Sequence, residues 1–225
     1  MYKLKYIFSM IIALLFGINM MFYGGILCYR TVFPHKTIFM YERLLGRDDI
    51  QLDYRPVAYD DISIHLKKAM IAAEDSQFSI HKGFDWQGIQ SAWKKNLKSG
   101  KIKAGGSTIS QQTAKNLFLI PSRTFIRKAE EAWLTALMEA TIDKDRILTL
   151  YLNIIEWGDG IYGAEAAANN YYHKPASALN TNESSFLASM ATNPVYYQNH
   201  LNNKKLRNKS NVIKKRMKYS NLPSD

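Results

Sequence analysis

Apolar residues follow different rhythms along this chain. From Ile7 to Tyr29 no residue is charged and most are large and apolar, a run of about twenty-three residues where a helix needs about twenty to cross a bilayer. It reads as one membrane-spanning helix over 7–29, behind a short tail over 1–6. A cleaved signal peptide is the competing reading, but the run is longer than an h-region and no small-x-small cleavage site follows it. Residues 30–51 mix Tyr, Arg, Phe and Pro without periodicity and read as a connector packed close to the membrane. From Asp61 onward the period turns helical. Ile62, Leu66, Met70 and Ala73 form one stripe, and Trp86, Ile89, Trp93 and Leu97 form another that starts after Asp85 and stops at Ser99-Gly100. The same spacing predicts helices over 107–119, 124–141, 144–155, 162–172, 183–190 and 204–218. Strand signals are scarce and no repeat appears, so 52–218 reads as a single mainly α core followed by a tail over 219–225.

Composition narrows the class. At 225 residues and 47% hydrophobic, the chain has room for one anchor and one medium globular domain. The single cysteine, Cys28, lies at the outer end of the anchor, so the core folds without an internal disulfide. A formal charge of +11 calls for an anionic partner. With no zinc-finger spacing and no aromatic sheet motif, nucleic acid is rejected as that partner, and an anionic membrane surface fits better. Lys3 and Lys5 before the span favour a cytoplasmic N-terminus, although Arg30, Lys36 and Arg43 weaken the asymmetry. Gly17, Asn19, Gly24 and Gly25 inside the span suit helix contact, but glycines are ordinary in such helices. The Trp86–Trp93 helix, with Lys94, Lys95 and Lys98 on it and Lys101 and Lys103 beyond, admits two readings: an interfacial helix, or an amphipathic core helix with solvated lysines.

Two segments carry the chemistry. The first, Glu74-Asp75-Ser76-Gln77-Phe78-Ser79-Ile80-His81-Lys82-Gly83-Phe84-Asp85, sets paired carboxylates at the end of a predicted helix, where negative charge opposes the macrodipole. A helix-end solvation role is therefore disfavoured. The second, Gly105-Gly106-Ser107-Thr108-Ile109-Ser110-Gln111-Gln112-Thr113-Ala114-Lys115-Asn116, offers Ser107 as an N-cap and a helix start suited to phosphate. His81 reads as a loop hydrogen-bonding residue, since no partners stand at metal-ligand spacing. Arg123, Arg127 and Glu131, spaced by four, share one helical stripe with Lys128, which on spacing alone is a common solvated ion-pair pattern.

These two segments resemble the first two motifs of the bacterial peptidoglycan glycosyltransferases. Arg127-Lys128-Ala129-Glu130-Glu131 is similar to the third motif, Lys144 through Asn153 to the fourth, and Arg207 through Met217 to a looser fifth. The likeness covers roughly 52–217 and, through Glu156-Trp157-Gly158-Asp159-Gly160 and Gly163-Ala164-Glu165-Ala166-Ala167-Ala168, looks closest to the monofunctional biosynthetic branch. It implies a lysozyme-like helical lobe with a small membrane-proximal jaw, in the bacterial inner membrane with the catalytic domain outside the cytoplasm. The implied reaction polymerises lipid II into β-1,4-linked strands and releases undecaprenyl pyrophosphate. The chain stops at Asp225, too early for the transpeptidase domain of bifunctional relatives, so none is expected.

By the same resemblance Glu74 stands for the general base and Glu131 for the second essential carboxylate. Lys115, Arg123, Arg127 and Lys128 match basic positions around the donor pyrophosphate. Thr108, Gln111, Gln112 and Asn116 suit sugar hydroxyls or phosphate oxygens, with polar packing between lobes as the alternative; Gln111 and Asn116 are the firmer pair. Asp75 is assigned to substrate, with a structural role through His81 or backbone N–H groups equally open. No cofactor is obligatory; a divalent cation, Mg or Mn, is admitted, with Glu131 as ligand or as orienter of the cations. Lipid II, the growing strand and membrane lipids are the implied partners, and cell-wall or division proteins are admitted. A glycan-cleaving lysozyme-like enzyme and a silent scaffold are the rival readings. Tyr151 and Leu152 read as packing and Asn153 as a loop tie, and the basic run over 204–218 as a solvated helix. The chain departs from the family pattern at Ser91, where relatives often have Arg, and at Ala191-Thr192-Asn193-Pro194, where the usual run is Leu-Pro-Asn-Pro.

Overall fold

The structure, a computed structural model, describes residues 2–47, 49–100, 105–122 and 124–223. Helix α1 (Tyr2–Tyr29) leads into a short α2 (Ile38–Leu44), strand β1 (Asp53–Tyr54) and α3 (Ile64–Glu74). Then come α4 (Trp86–Ser99), α5 (Ile109–Phe118), α6 (Phe125–Thr141) and α7 (Lys144–Ile154). Strands β2 (Glu156–Gly158) and β3 (Ile161–Tyr162) precede α8 (Ala164–Tyr172), α9 (Thr181–Met190), α10 (Pro194–Gln198) and α11 (Lys204–Arg216). The architecture is mainly α, as the periodicity predicts.

The core forms around α7, whose Ile147, Leu148, Leu150, Tyr151, Leu152 and Ile154 are all buried. A helix apolar on every side belongs inside a domain, and α5 packs on α7 and α6. On the other side α3 packs on α9 and α11. Ala164, Ala166, Ala167 and Ala168 let α8 approach its neighbours closely, and each is fully buried. Asn153, at the inner end of α7, ties the loop before α3: its amide accepts from Val57 N–H at 2.9 Å and donates to Val57 O at 3.0 Å.

The three strands form a small sheet in the order β1-β3-β2, with β1 parallel and β2 antiparallel to β3. Gly160 turns β2 into β3 with φ +78°, where a Cβ would sit 2.8 Å from the Gln51 carbonyl oxygen. Strands of two or three residues leave no alternation to read, so the sheet was not expected.

The connector corrects the reading of 30–51 as irregular. Thr37 caps α2, Met40 is its one buried residue, and Arg43 forms a bidentate pair with Glu156 of β2 at 2.8 Å. A helix of seven residues with one buried position shows no period.

The apolar stretch Lys5–Tyr29 contains an 18-residue segment of mean hydropathy 2.1 and is long enough to cross a membrane. Its C-terminal end is docked on the domain. Asn19 Oδ1 accepts from Trp133 Nε1 of α6 at 3.0 Å, and Phe118 of α5 lies between Phe22 and Tyr29, with ring centroids at 6.0 and 5.6 Å. A Cβ on Gly25 would come within 3.2 Å of Phe118, while Gly17 and Gly24 face open space. Arg146 of α7 donates to the carbonyls of Tyr29 and Val32 at 2.8 and 2.7 Å, satisfying helix-end acceptors with a cation placed where the dipole favours it. Asn19 and Gly25 thus mark contact with this chain's own domain.

Helix α4 starts at Asp85, whose carboxylate accepts from Gly88 N–H at 2.8 Å, and ends at Gly100 with φ +62°. Its apolar stripe does not enter the core: Trp86, Trp93 and Leu97 are 71%, 65% and 67% exposed, and Ala92 is its one buried residue. That removes the core-helix reading. Lys101 and Lys103 lie outside the described residues.

Candidate active site

Glu74 is the last residue of α3 and Asp75 its C-cap. The Glu74 carboxylate accepts from Gln112 Nε2 at 3.2 Å, and the Gln112 carbonyl lies 3.5 Å from the Tyr151 hydroxyl. Burial, then the charges of Glu74 and Asp75, push the Tyr151 phenol well above its ordinary range, so it stays a proton donor toward Gln112. Glu74 opens onto a cavity of about 320 Å³ walled by Asp85, Gly106, Ser107, Arg216 and Tyr219.

Asp75 is buried and fully engaged. Its carboxylate accepts from His81 Nε2 at 2.9 Å and from the Ile109 N–H at 2.9 Å. Gly83 N–H donates to His81 Nδ1 at 3.1 Å, which places the ring proton on Nε2. Gly83 has φ +89°, and a Cβ there would meet Thr135 at 3.0 Å; its carbonyl accepts from Thr108 Oγ1 at 2.7 Å. Asp75, His81, Gly83 and Thr108 together hold the end of α3 against the start of α5.

The start of α5 corrects the expected cap. Thr108, one residue after Ser107, is the N-cap, and it forms a capping box with Gln111: Thr108 N–H donates to Gln111 Oε1 at 3.0 Å, and Gln111 N–H donates to Thr108 Oγ1 at 3.1 Å. The box needs a Glu or Gln three residues on, and from Ser107 that position is Ser110. With the Ile109 N–H given to Asp75, this helix start is filled by a protein carboxylate, not left open for phosphate. Thr108 and Gln111, both buried, are committed to the cap.

Cations converge on α6. Glu131 is 2% exposed and holds Arg127 Nη1 at 2.6 Å through one oxygen and Lys128 Nζ through the other. Lys128 Nζ also donates to Ser107 Oγ at 3.2 Å, which joins the cluster to the cavity wall. Burial lowers the Lys115 ammonium; Glu131 opposes that shift, and Arg127 and Lys128 add to it. Two cations thus share one carboxylate, and Lys115 lies within the reach of its charge. Arg127 Nε is buried with no hydrogen-bond partner among the described residues, a donor whose desolvation calls for an acceptor. Asn116 is half-buried beside Lys115 on α5. Arg123 lies outside the described residues.

The chain's sequence matches the family described as Transglycosylase over residues 43–218. It belongs to that family. The transglycosylase is 50% identical over 224 residues to a biosynthetic peptidoglycan transglycosylase of Neisseria meningitidis serogroup C (strain 053442), covering 97% of this chain and 96% of that relative. The figures are the same for a Neisseria gonorrhoeae protein of that name. A third, from Laribacter hongkongensis, is 49% identical over 217 residues, 95% of each chain.

Sequence reasoning missed the contribution of α11 to this transglycosylase's site. Leu206, Ser210 and Ile213 are its buried face, so the basic run is not simply solvated. Lys209 lies close enough to feel the Glu74 charge, which works against the lowering of its ammonium by burial, and its Nζ donates to Thr192 Oγ1 at 3.2 Å. Arg216, seven residues on, reaches the cavity. The apolar Leu206 and Ile213, two turns apart with the small Ser210 between them, were the available signal.

Among the described residues no three His, Cys, Asp or Glu side chains converge as a cation site, and both Glu131 oxygens are already held. Among the described residues, therefore, no ready-made ligand set for a divalent ion is present.

Proposed function

We propose that this glycosyltransferase polymerises lipid II, a disaccharide carried on a lipid pyrophosphate, into β-1,4-linked peptidoglycan strands. The observation that carries the reading is the cavity itself: Glu74 opens onto it, and Ser107 of its wall is hydrogen-bonded to Lys128, which with Arg127 is paired to the buried Glu131 in whose field Lys115 also lies. The curated relatives that match along nearly the whole chain, named biosynthetic peptidoglycan transglycosylases, support it.

In this reading Glu74 accepts the proton of the acceptor's 4-hydroxyl as that oxygen attacks the anomeric carbon of the growing chain. The anomeric C–O bond to pyrophosphate breaks with inversion, and the leaving group keeps the bonding pair. Pyrophosphate leaves as a stable anion, so it needs cations more than a proton donor. Lys115, Arg127 and Lys128 supply them, and the unpartnered Arg127 Nε suits a phosphate oxygen. Glu131, with both oxygens spent on Arg127 and Lys128, orients the cations. Gln112 holds Glu74 in place, and Asp75 with Thr108 and Gln111 holds the frame. Arg123 remains assigned to the donor pyrophosphate, and Asn116 to sugar hydroxyls or phosphate oxygens. A divalent ion, Mg or Mn, would enter with the substrate's phosphates.

The exposed Trp86, Trp93 and Leu97 of α4, beside Lys94, Lys95 and Lys98, suit a bilayer surface rich in anionic lipid. With α1 as a single inner-membrane span and its N-terminus in the cytoplasm, the cavity lies outside, where the lipid-linked substrate is presented. Cell-wall or division proteins remain candidate partners.

Purified full-length protein in detergent, given lipid II with and without a chelator, is expected to yield glycan strands. Finished glycan given to the same protein is expected to stay intact, and its cleavage would instead indicate a hydrolase. Strand formation by Glu74→Gln at the unmodified rate would refute the base assignment, and an inert unmodified protein would favour a scaffold.

A further inference from the structure

A second cavity, larger than that at Glu74, opens between α10 and the start of α11, with a volume of about 680 Å³. Its lining joins Tyr196 and Tyr197 to Asn193, Asn208, Lys204 and Lys205, with no carboxylate among the lining residues. Tyr196 is 44% exposed and stacks on His200, with ring centroids 4.2 Å apart and planes within 10°. His200 Nδ1–H donates to the Tyr196 carbonyl at 2.7 Å, so the stack is a fixed platform. Asn193 begins α10 without capping it through its side chain, and neither its amide nor that of Asn208 has a side-chain hydrogen bond among the described residues. An open aromatic face flanked by free amides matches the apolar CH faces and the hydroxyl and acetamido groups of amino sugars. The two lysines match an anionic substituent on them.

The place of this cavity matters as much as its lining. Asn193 follows Thr192, and Asn208 precedes Lys209; Thr192 and Lys209 are bonded to each other at 3.2 Å. The Lys209 ammonium in turn lies in the field of Glu74. The cavity therefore lies at the N-terminal end of α11, the helix whose far end brings Arg216 to the Glu74 cavity.

We propose that the cavity between α10 and α11 is an outer saccharide subsite that holds N-acetylated amino sugars of the glycan strand away from the reacting pair. The proposal rests on the lipid II reading for the identity of the strand. Residues at this distance from the bond being formed affect retention of the polymer and leave the chemical step alone.

Binding of a peptide-free octasaccharide of alternating N-acetylglucosamine and N-acetylmuramic acid to the full-length protein in detergent, measured by calorimetry, tests it directly. Tyr196→Ala and, separately, Asn208→Ala are expected to weaken binding, by about tenfold for the tyrosine. Product strands made by both variants are expected to be shorter than those of the unmodified protein, and strands of unchanged length would count against the subsite. Asn208 is an exposed polar residue, so its variant keeps the test valid if Tyr196→Ala fails to fold. No measurable octasaccharide binding by the unmodified protein, unchanged affinity in both folded variants, or binding of free stem peptide without saccharide would overturn the proposal. If lipid II is not polymerised at all but saccharide binding still falls with Tyr196→Ala, the subsite stands and the lipid II reading fails.

Discussion

Glu131 is the residue whose surroundings most constrain its role. Buried to 2% exposure between Arg127 and Lys128, it neutralises two cations that would otherwise repel each other. Glu131→Gln is expected to cost about 3–5 kcal/mol of folding stability, the usual penalty for removing one partner of a buried pair. It is also expected to raise KM for lipid II; thermal unfolding alongside steady-state kinetics checks both. Asp75→Asn is expected to behave differently: with His81 Nε2–H and the Ile109 N–H losing a charged acceptor, stability falls by about 1–3 kcal/mol, and kcat falls with it because Glu74 is the adjoining residue. Lys115 gives a pH signature. Burial lowers its ammonium below the ordinary lysine value, so the cluster loses that charge at a pH where an exposed lysine still carries it. The unfolded chain then binds more protons than the folded one, and this group's contribution to stability improves as pH rises toward the ordinary value. Catalysis responds in the opposite sense, and kcat/KM is expected to fall early on the alkaline side. Lys115→Arg, whose guanidinium keeps its proton, is expected to move that limb upward; superimposable limbs in the two proteins would exclude Lys115 from donor binding.

At the scale of elements, what could be read in advance followed the length of each periodic run. The helices carrying Glu74, Lys115 and Glu131 were legible because ten or more residues repeat an apolar stripe, in the last of them behind a recognisable cap at Thr124. The cap at Thr108 was misplaced by one residue because Ser107 and Thr108 are both good caps and only the reach of Gln111 separates them. Helix α2, the two- and three-residue strands and α10 were illegible, being too short to show a period. Lys209 was hidden for another reason. In a run of lysines nothing local distinguishes the one that faces a glutamate on another helix. The docking of α1 was likewise invisible, since Gly25 and Asn19 have ordinary uses within a span. Gly25→Leu is expected to undo it, because its Cβ would already press on Phe118 at 3.2 Å; faster hydrogen exchange along α6, with catalysis in detergent largely retained, would report the release.

For the molecule as a whole, a charge of +11 and an exposed tryptophan face on α4 make association with lipid a sum of two effects that salt separates. Sedimentation with vesicles rich in phosphatidylglycerol is expected to weaken as ionic strength rises, because screening shortens the reach of the lysines. Trp86→Ala with Trp93→Ala is expected to lower the salt-independent remainder. If that double variant sediments like the unmodified protein at every salt concentration, α4 does not enter the interface. Arg146 adds a consequence of its own. By holding the carbonyls of residues 29 and 32 it restrains rotation between α1 and the domain, so the span and the cavity turn as one body.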